Sequence, residues 1–321
     1  MSFYYVEAEM EKIRMTVGSQ TKSTSTMDNH NYPGLYQCAD ITANSRQKTY
    51  FLLQKIYLGS LVIGGLLGIF VSFFSDCVLR GTYTVLAIVL AAGFLVLWVG
   101  RARQDDNIWF DCRAIAESVK TATWRYMMTV PPFHDDDTAD QEFILSLKEM
   151  RKARPECHKH FADVAVVSAP AITDFMRHMR STSCVARRAF YLEHRIRIQK
   201  TWYSDKAAHN ARIGSQWFWT IVILQGIAVI VAIIQASTGG LRVNMVPVFM
   251  TCAAVIAAWS QMRRHDELKK TYALAAQELS ELEALAVNLA SQDFPQLVEQ
   301  VEEAVSREHT MWCARRDIHL R

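Results

Sequence analysis

The stretch IYLGSLVIGGLLGIFVSFF, residues 56–74, contains no Asp, Glu, Lys, Arg or His. As a helix it would be about 29 Å long, which matches the hydrocarbon core of a lipid bilayer. Three further stretches have the same uncharged character, at 81–100, 217–235 and 243–262. Because only short turns separate the members of each pair, the sequence predicts two transmembrane helical hairpins.

The predicted fold class is an all-α membrane protein. Four transmembrane helices form two duplicated hairpins, and a helical domain lies in the cytosol. The alternative is a large soluble protein that buries the same four helices. Buried helices of that kind usually keep a polar stripe, and these four stretches lack one over most of their length. No alternating pattern typical of a β-strand has a useful length in the sequence.

The distribution of positive charge predicts how the hairpins are oriented. Each short turn holds one of the 35 Lys and Arg residues, Arg80 and Arg242 respectively, and all the others lie in the three long polar segments. Cytoplasmic loops carry an excess of these residues, so we expect a multi-pass protein with both termini in the cytoplasm. The seven cysteines are scattered without a CxxC pair, and we expect no disulfide framework.

An internal duplication organises the chain. Placing residues 44–46 (NSR) over 210–212 (NAR) brings the first predicted hairpin onto the second. The repeated unit is then a cytosolic helix, a hairpin and a further cytosolic helix. The predicted parts are an N-terminal segment at 1–30, a first two-transmembrane repeat at 31–130, a helical linker region at 131–186, and a second repeat with C-terminal cytosolic helices at 187–321.

Within the spans, the residues of interest are small or are polar without charge. Transmembrane helices associate closely where small residues let their backbones approach. The small residues fit packing inside one subunit or between subunits, and the one glutamine fits an interhelical hydrogen bond or a conducting lumen. The spans hold no charged side chain of the kind that pumps use. The candidates for helix packing or a pore wall are Gly64, Gly68, Gln225, Ala253 and Ala257.

A polar face on the helix before the third span is the candidate for coupling cytosolic events to the membrane. Its members follow one another at steps of three or four residues, which places them on one side of a helix. The alternative is an ordinary solvated face. The members are Arg195, Gln199, Tyr203, Lys206 and Asn210.

No catalytic, cofactor-binding or metal site is predicted. The chain has no glycine-rich phosphate loop, no nucleophile elbow and no HExxH helix. We therefore expect a protein that is not an enzyme and that needs no cofactor. A net charge of +3 excludes a strongly basic nucleic-acid binder.

Two stretches that lead into the hairpins resemble a known family. They are YPGLYQCADITANSRQKTYF at 32–51 and YLEHRIRIQKTWYSDKAAHNARIGSQWFW at 191–219. Both are similar to the SLATT superfamily, which comprises two-transmembrane effector domains associated with nucleotide-synthesising SMODS and nucleotide-sensing SLOG proteins. The resemblance covers most of the chain and implies two SLATT units in tandem.

The resemblance also implies a function. A protein of this family is expected to be an oligomeric antiviral effector in the bacterial inner membrane, which forms a pore or ion channel when a nucleotide-linked cytosolic signal arrives. The implied partners are the bilayer, further copies of the chain, and a nucleotide-synthesising or nucleotide-sensing protein. Two other functions stay open: a membrane-anchored helical scaffold or binding protein without conductance, and a small-solute transporter.

Overall fold

The computed structural model describes residues 27–70, 76–161, 169–238, 244–287, 289 and 291–319. Across these residues the chain is helical and contains no strand, which confirms the all-α prediction. Most of the predicted N-terminal segment, 1–30, lies outside the described residues. The helices are α1 (Gly34–Phe70), α2 (Asp76–Arg103), α3 (Asp105–Met127), α4 (Ala139–Ala153), α5 (Pro155–His158), α6 (Asp174–Ser181), α7 (Cys184–Tyr191), α8 (Ile198–Thr238), α9 (Val246–Arg263), α10 (His265–Val287) and α11 (Phe294–His319).

Three of these helices are long and apolar enough to cross a membrane. They contribute the apolar parts of Gly34–Ile69, Leu79–Met127 and Cys184–Thr238. Only 11%, 6% and 6% of the residues in their most apolar stretches are buried inside the protein. Phe94, for example, is 69% exposed. Helices buried in a soluble core would hide such side chains, so this pattern is typical of helices whose solvent is lipid.

The predicted fourth span, 243–262, corresponds to α9. This helix has 18 residues, from Val246 to Arg263, and Pro247 lies in its first turn. It packs against α8 and α1 and buries Val248 and Ala253. At about 27 Å it is shorter than the other three apolar helices. Residue 243 and the turn before it lie outside the described residues.

The two halves of the chain repeat one arrangement, α1–α2–α3 and α8–α9–α10. In each half, the second apolar helix ends at a residue in the left-handed backbone conformation, Gln104 with φ 48° and Arg264 with φ 51°. The next residue begins the third helix of that half and is buried, Asp105 with 1% exposed and His265 with 6% exposed. The duplicated corner turns the chain back along the long helix that precedes the hairpin.

Each corner is tied to that long helix by a polar contact. In the first half, Arg46 Nη1 donates to Asp105 Oδ1 at 2.9 Å, and in the second, His265 Nδ1 lies 2.8 Å from Asn210 Oδ1. The two contacts join residues 59 and 55 positions apart, respectively. The corners Gln104 and Arg264 are offset by 160 residues, against 166 for the stretches 44–46 and 210–212, so by this alignment the second hairpin is six residues shorter and a single offset aligns only part of the repeats.

Aromatic rings join the two halves where the apolar helices meet the polar helical domain. Phe51 of α1 and Trp259 of α9 have ring centroids 5.9 Å apart. The Arg263 guanidinium lies 4.5 Å from the Phe51 ring, and the Lys55 ammonium lies 5.6 Å from the Trp259 ring. Aromatic and cationic side chains at this level are those that anchor helices at a membrane interface. The two repeats thus share one bundle.

A disulfide links α3 to α5, contrary to the expectation of a chain without a disulfide framework. Cys112 and Cys157 are fully buried, and their Cα atoms are 5.2 Å apart. The sequence separation is 45 residues, and the pairing comes from the packing of α5 on α3 rather than from any spacing motif. Cys38, Cys184 and Cys252 are free thiols.

Candidate coupling site

A buried carboxylate lies at the centre of the polar helical domain outside the apolar segments. Glu302 of α11 is 0% exposed and accepts four hydrogen bonds. Its Oε1 accepts from Tyr191 Oη at 2.9 Å and from Arg195 Nε at 2.8 Å. Its Oε2 accepts from Arg195 Nη2 at 2.6 Å and from Thr121 Oγ1 at 2.9 Å. Such complete pairing is what makes a buried ion pair tolerable.

The arginine of this pair lies in a π-helical turn. Leu192–Arg197 connects α7 to α8 with this wider winding, so that one long helical path runs from Cys184 to Thr238. The continuous helix expected before the third span is therefore present, with a local change of winding. Single π-turns inside helices occur frequently at functional sites. Here the turn holds Arg195 and Ile196, which are both buried.

The electrostatics of the site favour a fixed, charged pair. Burial opposes the charge on Arg195, but the attraction and hydrogen bonds of Glu302 outweigh this effect and raise the pKa of Arg195. Burial, with the adjacent Glu302 charge, raises the pKa of Tyr191 well above its ordinary value, so its hydroxyl stays a donor. Burial lowers the pKa of the nearby Lys120, and Arg195 adds to that effect.

An aromatic wall closes the site on the side of the first repeat. Trp124 of α3 is 1% exposed and lies 5.8 Å from the Arg195 guanidinium. Its Nε1 donates to Tyr32 Oη at 3.1 Å, and its ring meets that of Tyr191 edge-on at 5.6 Å. Since Thr121 and Trp124 belong to the first repeat while Arg195 and Glu302 belong to the second, the site is a joint between the repeats.

The structure buries most of the polar face predicted on the third-span helix. Arg195 is 2% exposed, Tyr203 is 1% exposed, Lys206 is 8% exposed and Asn210 is 7% exposed. Gln199 is half-buried. This face packs on α10, where Tyr203 and Tyr272 have ring centroids 5.7 Å apart. It is thus an interface between helices instead of a solvated surface, and its coupling role stays a prediction.

At the end of this face nearest the third span, Asn210 contacts His265, a neutral histidine at the second corner. Because the Asn210 amide nitrogen donates to the Lys206 carbonyl at 2.8 Å, its oxygen is left to accept from His265 Nδ1–H. Burial, together with the positive charges of Arg263 and His209, lowers the pKa of His265 to about 4, while Asp266 acts in the opposite direction. The site therefore requires the uncharged imidazole.

This lowered pKa predicts that the contact between His265 and Asn210 is sensitive to acid. Between pH 6.5 and 4 the unfolded chain binds a proton at His265 that the folded chain excludes, so stability present above pH 6.5 is lost as the pH falls through this range. The expected loss is on the order of 2 kcal/mol. Melting temperatures of His265→Gln and the original chain, compared from pH 7 to 4.5, check this. The variant should lose less stability on acidification; equal losses would contradict the assignment.

The small residues of the spans divide between internal packing and the outer surface. A Cβ on Gly64 would lie 3.1 Å from Leu90 Cδ2 of α2, so this glycine serves packing within the chain. Ala253 is 2% exposed, and Ala257 is half-buried. Gly68 is exposed, and among the described residues no neighbouring atom lies within 4 Å of its Cβ position.

Gln225 faces outward from α8. Its side chain is exposed, and within the described part of the chain its amide makes no hydrogen bond. The next residue, Gly226, also has open space at its Cβ position. Of the two roles that the sequence left open, an interhelical hydrogen bond inside one chain is not formed.

Comparison with known families accounts for the two repeats. The model for "SMODS and SLOG-associating 2TM effector domain 3" matches residues 33–188, and that for "SMODS and SLOG-associating 2TM effector domain 1" matches residues 191–312. The chain belongs to the SLATT superfamily. SLATT domains are two-transmembrane effector domains associated with defence systems. No curated protein and no solved structure matches the chain.

The division between the two SLATT domains falls at the coupling site. The first match ends at residue 188 and the second begins at Tyr191, directly before the π-helical turn. The first SLATT domain supplies Thr121 and Trp124, and the second supplies Tyr191, Arg195 and Glu302. The tandem SLATT domains of this chain are thus joined through a buried ion pair beyond the ends of their apolar segments.

Proposed function

We propose that this tandem SLATT protein is an oligomeric effector of a bacterial defence system that permeabilises the inner membrane when a cytosolic signal arrives. In this proposal α9 is the fourth span, both termini are cytoplasmic, and the effect is physical instead of catalytic. The signal comes from a nucleotide-synthesising or nucleotide-sensing partner, as the name of the family indicates. Membership of the family and the exposed apolar helices support this proposal.

The observation that carries the proposal is the outward amide of Gln225. An amide placed in hydrocarbon without a hydrogen-bond partner costs several kcal/mol. A second copy of α8, or a water-filled path between copies, removes that cost. Gly226 lets another helix come close, as small residues do at interfaces between transmembrane helices. Because the spans contain no charged side chain, such a path would select weakly among ions.

The coupling site offers a route from the cytosol to this amide. From Ile198, next to the π-helical turn, α8 continues unbroken to Gln225. These 28 residues cover about 40 Å as a helix. A stiff helix transmits a tilt or rotation at its base to its apolar half. Release of the Arg195–Glu302 pair would therefore reorient the face that carries Gln225.

We expect the chain reconstituted in liposomes to release an entrapped dye. At an equal protein-to-lipid ratio, the Gln225→Leu variant should release the dye about tenfold more slowly, because it loses an interhelical hydrogen bond of about 1–2 kcal/mol. Ile230→Leu is the matched control, since Ile230 is 58% exposed on the same helix, and it should leak like the original chain. Stable oligomers that leak with none of the variants would favour the anchored scaffold.

A further inference from the structure

A cavity of about 550 Å³ lies at the corner between α2 and α3, on the cytosolic side of the first hairpin. Its walls come from α1, from the corner and from the segment around α5, which the Cys112–Cys157 disulfide fastens to α3. The coupling site does not include it. The side chains with polar groups on its wall include Arg46, Arg103, Gln104, Asp111, Glu156 and His160.

Two arginines of the wall are fixed in place by one buried carboxylate. Arg46 Nη1 and Arg103 Nε donate to the two oxygens of Asp105 at 2.9 and 2.8 Å. Arg46 Nη2 lies 3.0 Å from His160 Nδ1, which must accept because a guanidinium only donates. Arg103 is 46% exposed and engages only its Nε among the described residues, so its terminal nitrogens are available to a ligand.

The charges around the cavity do not cancel. Asp111 pairs with Arg154 at 2.6 Å, and Glu156 pairs with Lys159 at 2.6 Å. Each of these pairs is neutral. Asp105 balances only one of the two arginines that hold it, which leaves a single positive charge beside the cavity. The lining therefore suits an anion that carries one negative charge.

The depth of the cavity narrows the choice of anion. The apolar run of α2 ends at Gly100, and Ala102 already lines the cavity. Arg103 lies three residues beyond the run, about 5 Å along the helix. The polar headgroup layer extends about 5–8 Å beyond the hydrocarbon core. A phospholipid phosphate, a diester with one negative charge, occupies this layer.

The second repeat lacks the feature. At its corner, Arg263, the counterpart of Arg103, lies 4.5 Å from the Phe51 ring, and the buried His265 stands where the carboxylate of Asp105 stands in the first repeat. The arginine pair is thus a property of the first repeat alone and is not needed to build the corner.

We propose that this cavity binds a phosphate group with one negative charge, held by the guanidinium groups of Arg46 and Arg103. A phospholipid headgroup and free inorganic phosphate share this chemistry. The depth of the site favours the headgroup. Basic pockets on the cytosolic side of transmembrane helices bind anionic headgroups through the same kind of contact.

The test is a titration of the full chain in a non-ionic detergent with short-chain phosphatidylglycerol and, separately, with inorganic phosphate. Binding is followed by calorimetry. Arg103→Gln should weaken binding about 10-fold to 100-fold, the effect of losing one charge-assisted hydrogen bond. Arg101→Gln removes an exposed charge that does not line the cavity and serves as the matched control.

Tighter binding of the lipid than of phosphate, lost with Arg103 and kept in the control, supports the headgroup. Equal binding of both ligands, with the same dependence on Arg103, supports free phosphate as the source. Equal weakening in Arg103→Gln and Arg101→Gln overturns the site, because it indicates general attraction to a positive surface. Should Arg103→Gln fail to fold, Arg103→Lys keeps the charge without the forked donors and should still weaken binding.

Discussion

Replacing Glu302 with alanine is expected to destabilise the polar helical domain by about 3–5 kcal/mol, because it leaves the Arg195 guanidinium buried without its anion. Arg195 is only 2% exposed, and Tyr191 and Thr121 also lose their acceptor. Thermal denaturation of the detergent-solubilised chain measures the effect. Glu303→Ala is the matched control, since Glu303 is the exposed neighbour on the same helix, and it should change little.

A double replacement separates the ion pair from general damage to α11. Arg195→Met with Glu302→Leu removes both charges and restores apolar packing, which is often neutral or stabilising for a buried pair. The double variant should recover most of the stability that Glu302→Ala loses. If it is as unstable as Glu302→Ala, the pair is not the reason for the loss.

Replacing Glu302 with glutamine tests whether the Arg195–Glu302 pair controls the apolar helices. If the pair holds the assembly closed, Glu302→Gln in liposomes should release dye faster than the slow untriggered release of the original chain, while Glu303→Gln should match the original chain. Glutamine keeps the shape of the side chain but removes its charge, so the fold is retained better than with alanine. Unchanged release from a folded Glu302→Gln oligomer would contradict the coupling role and leave a purely structural joint.

Reduction of the Cys112–Cys157 disulfide is the second large effect. A cross-link that closes a loop of 45 residues stabilises a chain by about 4 kcal/mol in the loop-entropy account. A reductant should therefore lower the melting temperature of the original chain markedly. It should hardly affect a chain that carries Cys112→Ser and Cys157→Ser.

Two controls complete that experiment. Cys184 is a free, half-buried thiol, so Cys184→Ser should keep the full response to the reductant. Alkylation of the denatured, unreduced chain followed by mass measurement should find Cys112 and Cys157 unmodified. Their modification, or an equal response of the double serine variant to the reductant, would show that the two cysteines are not joined.

The sequence predicts the apolar helices well because hydropathy is a local property. The run at 56–74 and its counterparts need no knowledge of their neighbours to be recognised. The shorter length of the second hairpin is harder to predict from the sequence, because the contacts Arg46–Asp105 and Asn210–His265 form only after the corners fold back. A single alignment offset does not accommodate the difference of six residues between the two hairpins.

The coupling site was only half visible in the sequence. Arg195 belongs to a recognisable polar face, but Glu302 lies 107 residues away in a helix with many acidic residues. One signal was present: Glu302 follows Val301 and lies between Val298 and Val305, at the spacing of a buried helix face. The side that Gln225 faces depends on how α8 packs against α9 and α10, and no local pattern encodes that choice.

The most direct test of the whole account is the topology of the chain in a bacterial membrane. Alkaline phosphatase, which is active only outside the cytoplasm, is fused in turn to each end of the chain and inserted in each hairpin turn, 75–80 and 236–242. The account predicts activity for both turn insertions and none for either terminal fusion. Activity at one terminus but not the other would mean an odd number of spans and would contradict the paired hairpins.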